Sequence, residues 1–181
     1  METTSQDLKH EHDAIQIALN IIEKMYQNIR EDKEIDRRDI KEILEFLKVF
    51  ADKCHHGKEE AYLFPALERA GIPNRNGPIE KMLEQHRQGR ELIRKMDSAI
   101  NGRIIDRKAY IEAASAYVEL LRNHIEKENN ILFPMSDAKL SKEKQKELLS
   151  DFERLEKNVI GAGVHEELHA LLKRLSRKYL S

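Results

Sequence analysis

The sequence has one cysteine, no tryptophan, four prolines and seven glycines, and 6% of its residues are aromatic. A lone cysteine, Cys54, cannot close an intramolecular disulfide, so a disulfide-stapled fold is excluded. With so little Pro and Gly, collagen-like and linker-like classes are excluded too. Long apolar runs are also missing. The longest uncharged stretches, such as Ala14 to Ile22, fall short of the roughly 20 residues that span a bilayer. The start, METTSQDLKHEHD, is too polar for a secretory signal. A soluble, cytoplasmic chain without a membrane partner is expected. Charge of one sign is not in excess either: 32 basic residues nearly cancel 33 acidic ones, for a formal net charge of -1. No global field gathers nucleic acid, and none is expected as a partner.

What is present is a helix-forming alphabet. Of the 181 residues, 36% are charged and 40% apolar, with Leu, Ile, Ala, Glu, Lys and Arg prominent. The length suits one domain with one core, and an all-α fold is predicted. Apolar residues recur every three or four positions in four long segments. The first, from about Ser5 to Ile29, carries Leu8, Ile15, Leu19, Ile22 and Tyr26. The second, from about Asp36, carries Ile40, Leu44, Leu47, Ala51, Tyr62 and Ala66 and stops in GIPNRNGP. The third starts at about Pro78 and carries Ile79, Leu83, Ile93 and Ile100. The fourth, from about Asp106, carries Tyr110, Ala114, Tyr117, Leu121, Ile131 and Leu132. Short connections predict an up-down antiparallel four-helix bundle over residues 1–136. A final helix from Ser141, with a break or kink expected at Gly161-Ala-Gly163, is predicted to pack on the bundle as an extension over residues 137–181.

Eight histidines contrast with the single cysteine. The segments HHGKEEAYLFPAL (His55 to Leu67) and HIEKENNILFPMS (His124 to Ser136) form an internal repeat. Aligning their Leu-Phe-Pro triplets aligns His55 with His124 and Glu59 with Glu128. A His and a Glu four residues apart share one helix face and can offer a metal an imidazole and a carboxylate together. Two such pairs on the second and fourth helices, with a His on the core stripe of the first and third, make the pattern of a bundle-core metal site. On the second helix His56/Glu60 rivals His55/Glu59. Helical phase favours His55, which follows Ala51, Leu47 and Leu44, whereas His56 follows Asp52, Val49 and Glu45, mostly a wet face. His56 and Glu60 are therefore expected as near neighbours of the site. The same test favours His12 over His10 on the first helix and places His86 on the stripe of the third. Burying two glutamates without compensation is costly, and a pair of cations would supply it.

The residues EHDAI, HHGKEEAYLFPAL, LEQHRQGREL and LRNHIEKENNILFP resemble the hemerythrin-like (HHE cation-binding) family over roughly residues 5 to 136. The resemblance implies two non-haem iron ions in a four-helix bundle, joined by an oxo or hydroxo bridge. Carried over by motif, His12, His55, His86 and His124 would be terminal ligands, and Glu59 and Glu128 would bridge the irons. Dioxygen-carrying members use H-x-x-x-H on the third helix and H-x-x-x-x-D on the fourth. Here His86 is followed by Arg90, and the fourth helix has H-x-x-x-E. A count of four His and two Glu resembles members that sense iron or oxygen, handle nitric oxide or peroxide, or repair iron-sulfur clusters. Simple oxygen storage is disfavoured on that count, and repair-type members carry an N-terminal cysteine-bearing segment not found here. The implied ligand is O2, NO or a peroxide. A binding or sensing module and an oxidoreductase are both compatible, as is an iron-responsive regulator, and no protein partner is identified.

HEELH (His165 to His169) matches H-E-x-x-H, the zinc-protease helix, as a remote alternative. Such a site needs a third protein ligand, and ALLKRLSRKYLS beyond it has no His, Asp or Glu. A solvated His pair is the expectation for His165 and His169, with His165 or His56 as a conceivable fifth ligand. Cys54 is expected as a buried thiol. Tyr117 and Tyr62 are expected as packing residues within reach of the site.

Overall fold

The computed structural model describes residues 3–181; residues 1 and 2, with which the expected 1–136 unit begins, lie outside the described residues. The chain is all-helical and bundle-like, with no strand among the described residues. Six helical runs follow one another: α1 (Thr4–Arg30), α2 (37–69), α3 (Pro78–Asn101), α4 (107–139), α5 (142–160) and α6 (Val164–Tyr179). Each start has a local cause. Thr3 and Gln6 form a capping box at α1, and the side chains of Asp36, Asp106 and Ser141 accept backbone N–H groups at the heads of α2, α4 and α5. Pro78 opens α3 after Gly77, where a β-carbon would stand 2.0 Å from the Pro73 carbonyl oxygen. The break expected at Gly161-Ala-Gly163 divides the final helical segment in two. Gly161 and Gly163 adopt φ of 101° and 85°, left-handed values that end α5 and restart the chain as α6.

Helices α2 and α4 are not uniform. Leu47–His56, Glu59–Leu63 and Glu128–Leu132 are π-helical, with N–H groups reaching carbonyls five residues back. The Phe64 N–H donates to the Glu59 carbonyl and the Phe133 N–H to the Glu128 carbonyl. Pro65 and Pro134 follow at once. Each lacks an N–H, and its ring crowds the carbonyl four residues back, so a widened turn relieves both repeats in the same way. The widening also corrects two core assignments. Ile131, expected inside, is 54% exposed, while its neighbour Leu132 is buried as expected. Tyr62 is half-buried and turns toward Phe152, while Leu63 is buried.

α3 lies along α4, α1 packs on α4, and α6 covers α1 and the first part of α2. α5 rests on the π-helical parts of α2. The interior holds two apolar clusters. One contains Ile15, Ala51, Ile93 and Leu121; the other contains Leu8, Leu63, Met82 and Leu132. Between the members of each pair from one helix stand His12, His55 to Glu59, His86, and His124 to Glu128. A polar layer thus lies between the two clusters. No described helix is long and apolar enough to cross a membrane.

α6 is clasped to α2 by Asp39, which is 2% exposed and accepts hydrogen bonds from Tyr179 Oη at 2.7 Å, Arg174 Nη1 at 3.1 Å and Lys178 Nζ. Burial alone would raise the Asp39 pKa, but Lys178, Tyr179 and Arg174 outweigh it and hold the carboxyl below its ordinary value. A depressed carboxylate contributes stability above its unfolded pKa, near 3.9, and loses it as pH falls through the folded value. Asp39→Asn is therefore expected to destabilise the protein by about 1.5–3 kcal/mol at neutral pH. Thermal melts should show the gap to wild type closing below about pH 4.

Candidate metal centre

In the polar layer, His12, His55, His86, His124, Glu59 and Glu128 are each at most 1% exposed and come together. They fall into two groups with mutually close donor atoms: His12, His55, Glu59 and Glu128, and His56, Glu59, His86 and His124. Glu59 belongs to both. One Glu59 oxygen lies 3.8 Å from His55 Nε2 and the other 3.3 Å from His86 Nε2. Glu128 presents one oxygen 3.1 Å from His12 Nε2 and the other 3.2 Å from His124 Nε2. Each glutamate therefore spans the two groups with separate oxygens.

His56 overturns the helical-phase argument, since it is 4% exposed and its ring stacks on His86 with centroids 3.8 Å apart. At 3.6 residues per turn His56 would face outward, but His55 and His56 end a π-helical stretch. The wider turn lets two consecutive imidazoles face the interior. His10 stays exposed, and Tyr62 points elsewhere.

All five histidines are oriented alike. Nδ1 meets an outer oxygen in every case: Asn129 at 2.8 Å from His12, Glu11 at 2.9 Å from His55, Asp52 at 3.3 Å from His56, Glu60 at 2.8 Å from His86 and Gln85 at 3.1 Å from His124. A carboxylate only accepts, so the proton sits on Nδ1 at His55, His56 and His86, which leaves Nε2 as the inward atom. This is how histidines are fixed around a metal. Arg90 supports two of these acceptors, donating to Asp52 at 2.7 Å and to Glu60 at 2.7 Å. Of these outer partners only Glu60 was expected from the sequence. Glu11, Gln85 and Asn129 show no periodic signal, because each acts across a helix boundary, whereas Asp52 stands one turn before His56 on the same helix.

His86 Nε2 and His124 Nε2 meet each other at 3.1 Å, and the other inward atoms are short of partners. The buried side-chain atoms without a hydrogen bond include His12, His55 and His56 Nε2 and all four carboxylate oxygens of Glu59 and Glu128. Outside this layer only Tyr110 and Ser136 contribute such atoms among the described residues. Buried polar groups are otherwise satisfied as a rule, so the concentration at one spot marks donors arranged for a cation. The titration behaviour has the same origin. Burial disfavours charge on His12 and His86. The Glu128 carboxylate outweighs it at His12, and Glu59 and Glu60 push His86 up to about 9. At His55 and His124 burial prevails and the pKa falls well below the imidazole value, and burial with the nearby His86 takes His56 to about 4.

Behind His55 lies a buried ion cluster. Lys58 is 1% exposed, and its ammonium donates to Glu11 at 2.8 Å and Asp7 at 3.0 Å and pairs with Glu156 at 2.6 Å. Glu11, Cys54 and Glu156 have the spacing of a cation site. The Lys58 ammonium fills that role, and burial pushes the Cys54 thiol far up, so it offers no thiolate. Glu11 thus joins the ammonium to His55 Nδ1.

Buried imidazoles and glutamates able to hold metal ions, carried on packed helices, define a helical cation-binding protein. The chain belongs to the hemerythrin HHE cation-binding domain family, whose model matches residues 3–136. Uncharacterized proteins of Mycobacterium bovis and of two strains of Mycobacterium tuberculosis are each 24% identical over 156 residues, covering 83% of this chain and 60% of theirs. The chain thus spans under two thirds of the length of these curated relatives. No solved structure matches it.

Removing the ammonium would leave Glu11 buried among carboxylates. Lys58→Ala is expected to cost about 3–5 kcal/mol, as for other broken buried ion pairs. The check is a lowered urea midpoint with an unchanged slope.

Proposed function

We propose that the polar layer is a dinuclear non-haem iron centre that binds O2, NO or a peroxide for sensing, storage or detoxification. The observation that carries this reading is the set of unpartnered inward atoms around two glutamates that each span two donor groups. On this reading His12 and His55 would hold one ion, His56, His86 and His124 the other, and Glu59 and Glu128 would be shared between them. Imidazole and carboxylate donors suit iron, and the one thiol lies outside the layer.

The donor set is then five His and two Glu, one imidazole more than the sequence count. The resemblance had Arg90 where dioxygen carriers place a second third-helix His. His56 from α2 supplies that imidazole instead, and Arg90 supports its outer acceptor. With five imidazoles in the proposed set, oxygen storage stands beside sensing and detoxification.

Bound iron would supply the electrons and open positions that a diatomic ligand or peroxide needs. The chain's residues hold that chemistry in place. The Nδ1 contacts aim each imidazole, the two apolar clusters keep bulk water from the layer, and the glutamates keep the ions adjacent. An up-down bundle of α1 to α4 would form the metal unit over residues 1–136, with α5 and α6 as an extension over residues 137–181. A cytoplasmic setting, an iron-responsive or iron-sulfur repair role and the absence of a nucleic-acid partner belong to the same proposal.

Metal analysis and an optical spectrum of protein purified without air, then exposed to O2, test it. Two irons per chain and an oxygen-dependent absorption change are expected; one zinc per chain and no iron would overturn the reading. His56→Ala should lose the ion shared with His86 and His124, and His12→Ala the other. Asn129→Ala, which frees His12 Nδ1, should weaken metal binding about 10–100-fold. Chelation should lower the melting temperature, because carboxylates remain buried without compensating charge.

A further inference from the structure

The HEELH segment lies outside the buried layer. His165 and His169, one turn apart on α6, bring their ring centroids to 4.6 Å at an interplanar angle of 66°. Both rest on the ring of Phe50, at 5.4 Å and 5.6 Å. Phe50 is buried and stacked on Phe46, so it makes a fixed apolar floor under the pair. His165 is half-buried and His169 exposed, which leaves the rings reachable from solvent. Two imidazoles at this spacing on one helix face can share a single ion, with Zn–N distances of about 2.0–2.1 Å.

The surroundings favour a cation. Glu166 and Glu167 occupy the first turn of α6 and offset the positive end of the helix. Negative charge on Glu166 and Glu11 acts on His169. Burial and the neighbouring His165 nonetheless hold the His169 pKa below the ordinary imidazole value, so the ring is neutral near pH 7. Among the described residues, no group of three or more potential ligands includes either histidine. Water must therefore complete the coordination, and the third protein ligand of a zinc protease is not supplied.

We propose that His165 and His169 form a second, surface-facing site for a borderline divalent cation such as Zn²⁺, Ni²⁺ or Cu²⁺, separate from the buried centre. Imidazole nitrogen suits these ions, and the open coordination would let them exchange. The site stands on α6 and Phe50 alone and does not depend on which metal, if any, fills the polar layer.

The test is equilibrium dialysis of the full chain, purified with its resident metal, against Zn²⁺. Wild type, His165→Ala/His169→Ala and His165→Phe/His169→Phe are compared, the last keeping ring packing on Phe50 without metal-binding nitrogens. Wild type should hold one zinc per chain more than either variant, with the resident metal and its spectrum unchanged in all three. Equal zinc in the three proteins would overturn the site. Should a double variant fail to fold, His169→Ala, at an exposed position, carries the comparison. It too must lose the extra zinc.

Discussion

Two carboxylates, Glu59 and Glu128, lie in the middle of a helical interior with no exposure to water. Nothing else in the structure is as expensive as two such charges without cations. The arrangement around them follows from that constraint. Five imidazole edges face them, the apolar core divides into clusters above and below, and the outer polar residues serve to aim the rings rather than to fill space. The bundle is organised around a charge problem, and packing comes second.

The buried ammonium repeats the solution on a smaller scale. Lys58 lies between His55 and Glu59 in the chain but faces away from the layer, where Asp7, Glu11 and Glu156 surround it. Because Glu11 also receives His55 Nδ1, the ion cluster and the imidazole share a carboxylate. Glu156 comes from the end of α5, so the C-terminal part of the chain touches the network that orients a candidate ligand. The repeat is broken here, since Lys127, which aligns with Lys58, is only half-buried.

Much of the site was legible because its residues repeat along helices. His12, His86 and the paired His55/Glu59 and His124/Glu128 stood out by spacing against an apolar stripe, and the structure brings all six together. A single helical period does not describe α2 and α4. Where π-helical turns widen α2 and α4, His56 turns inward and Ile131 turns out, while Leu132 stays inside. The outer acceptors Glu11, Gln85 and Asn129 left no trace, because a contact between helices has no period in either one.

The sequence by itself determined the helical class, the caps and breaks, and the residue types of the polar layer, all of which are written in local spacing and composition. Only the tertiary structure decided how many imidazoles face the layer, which oxygen of each glutamate meets which ring, and that Phe50 lies beneath His165 and His169. The reason is physical. Spacing along one helix specifies a face, whereas a coordination shell is assembled from several helices, and its membership depends on turn width and packing angle. The opening scarcity of cysteine acquires a meaning in that light: the charges inside this protein are met by imidazole, carboxylate and ammonium, and the single thiol is kept protonated beside them.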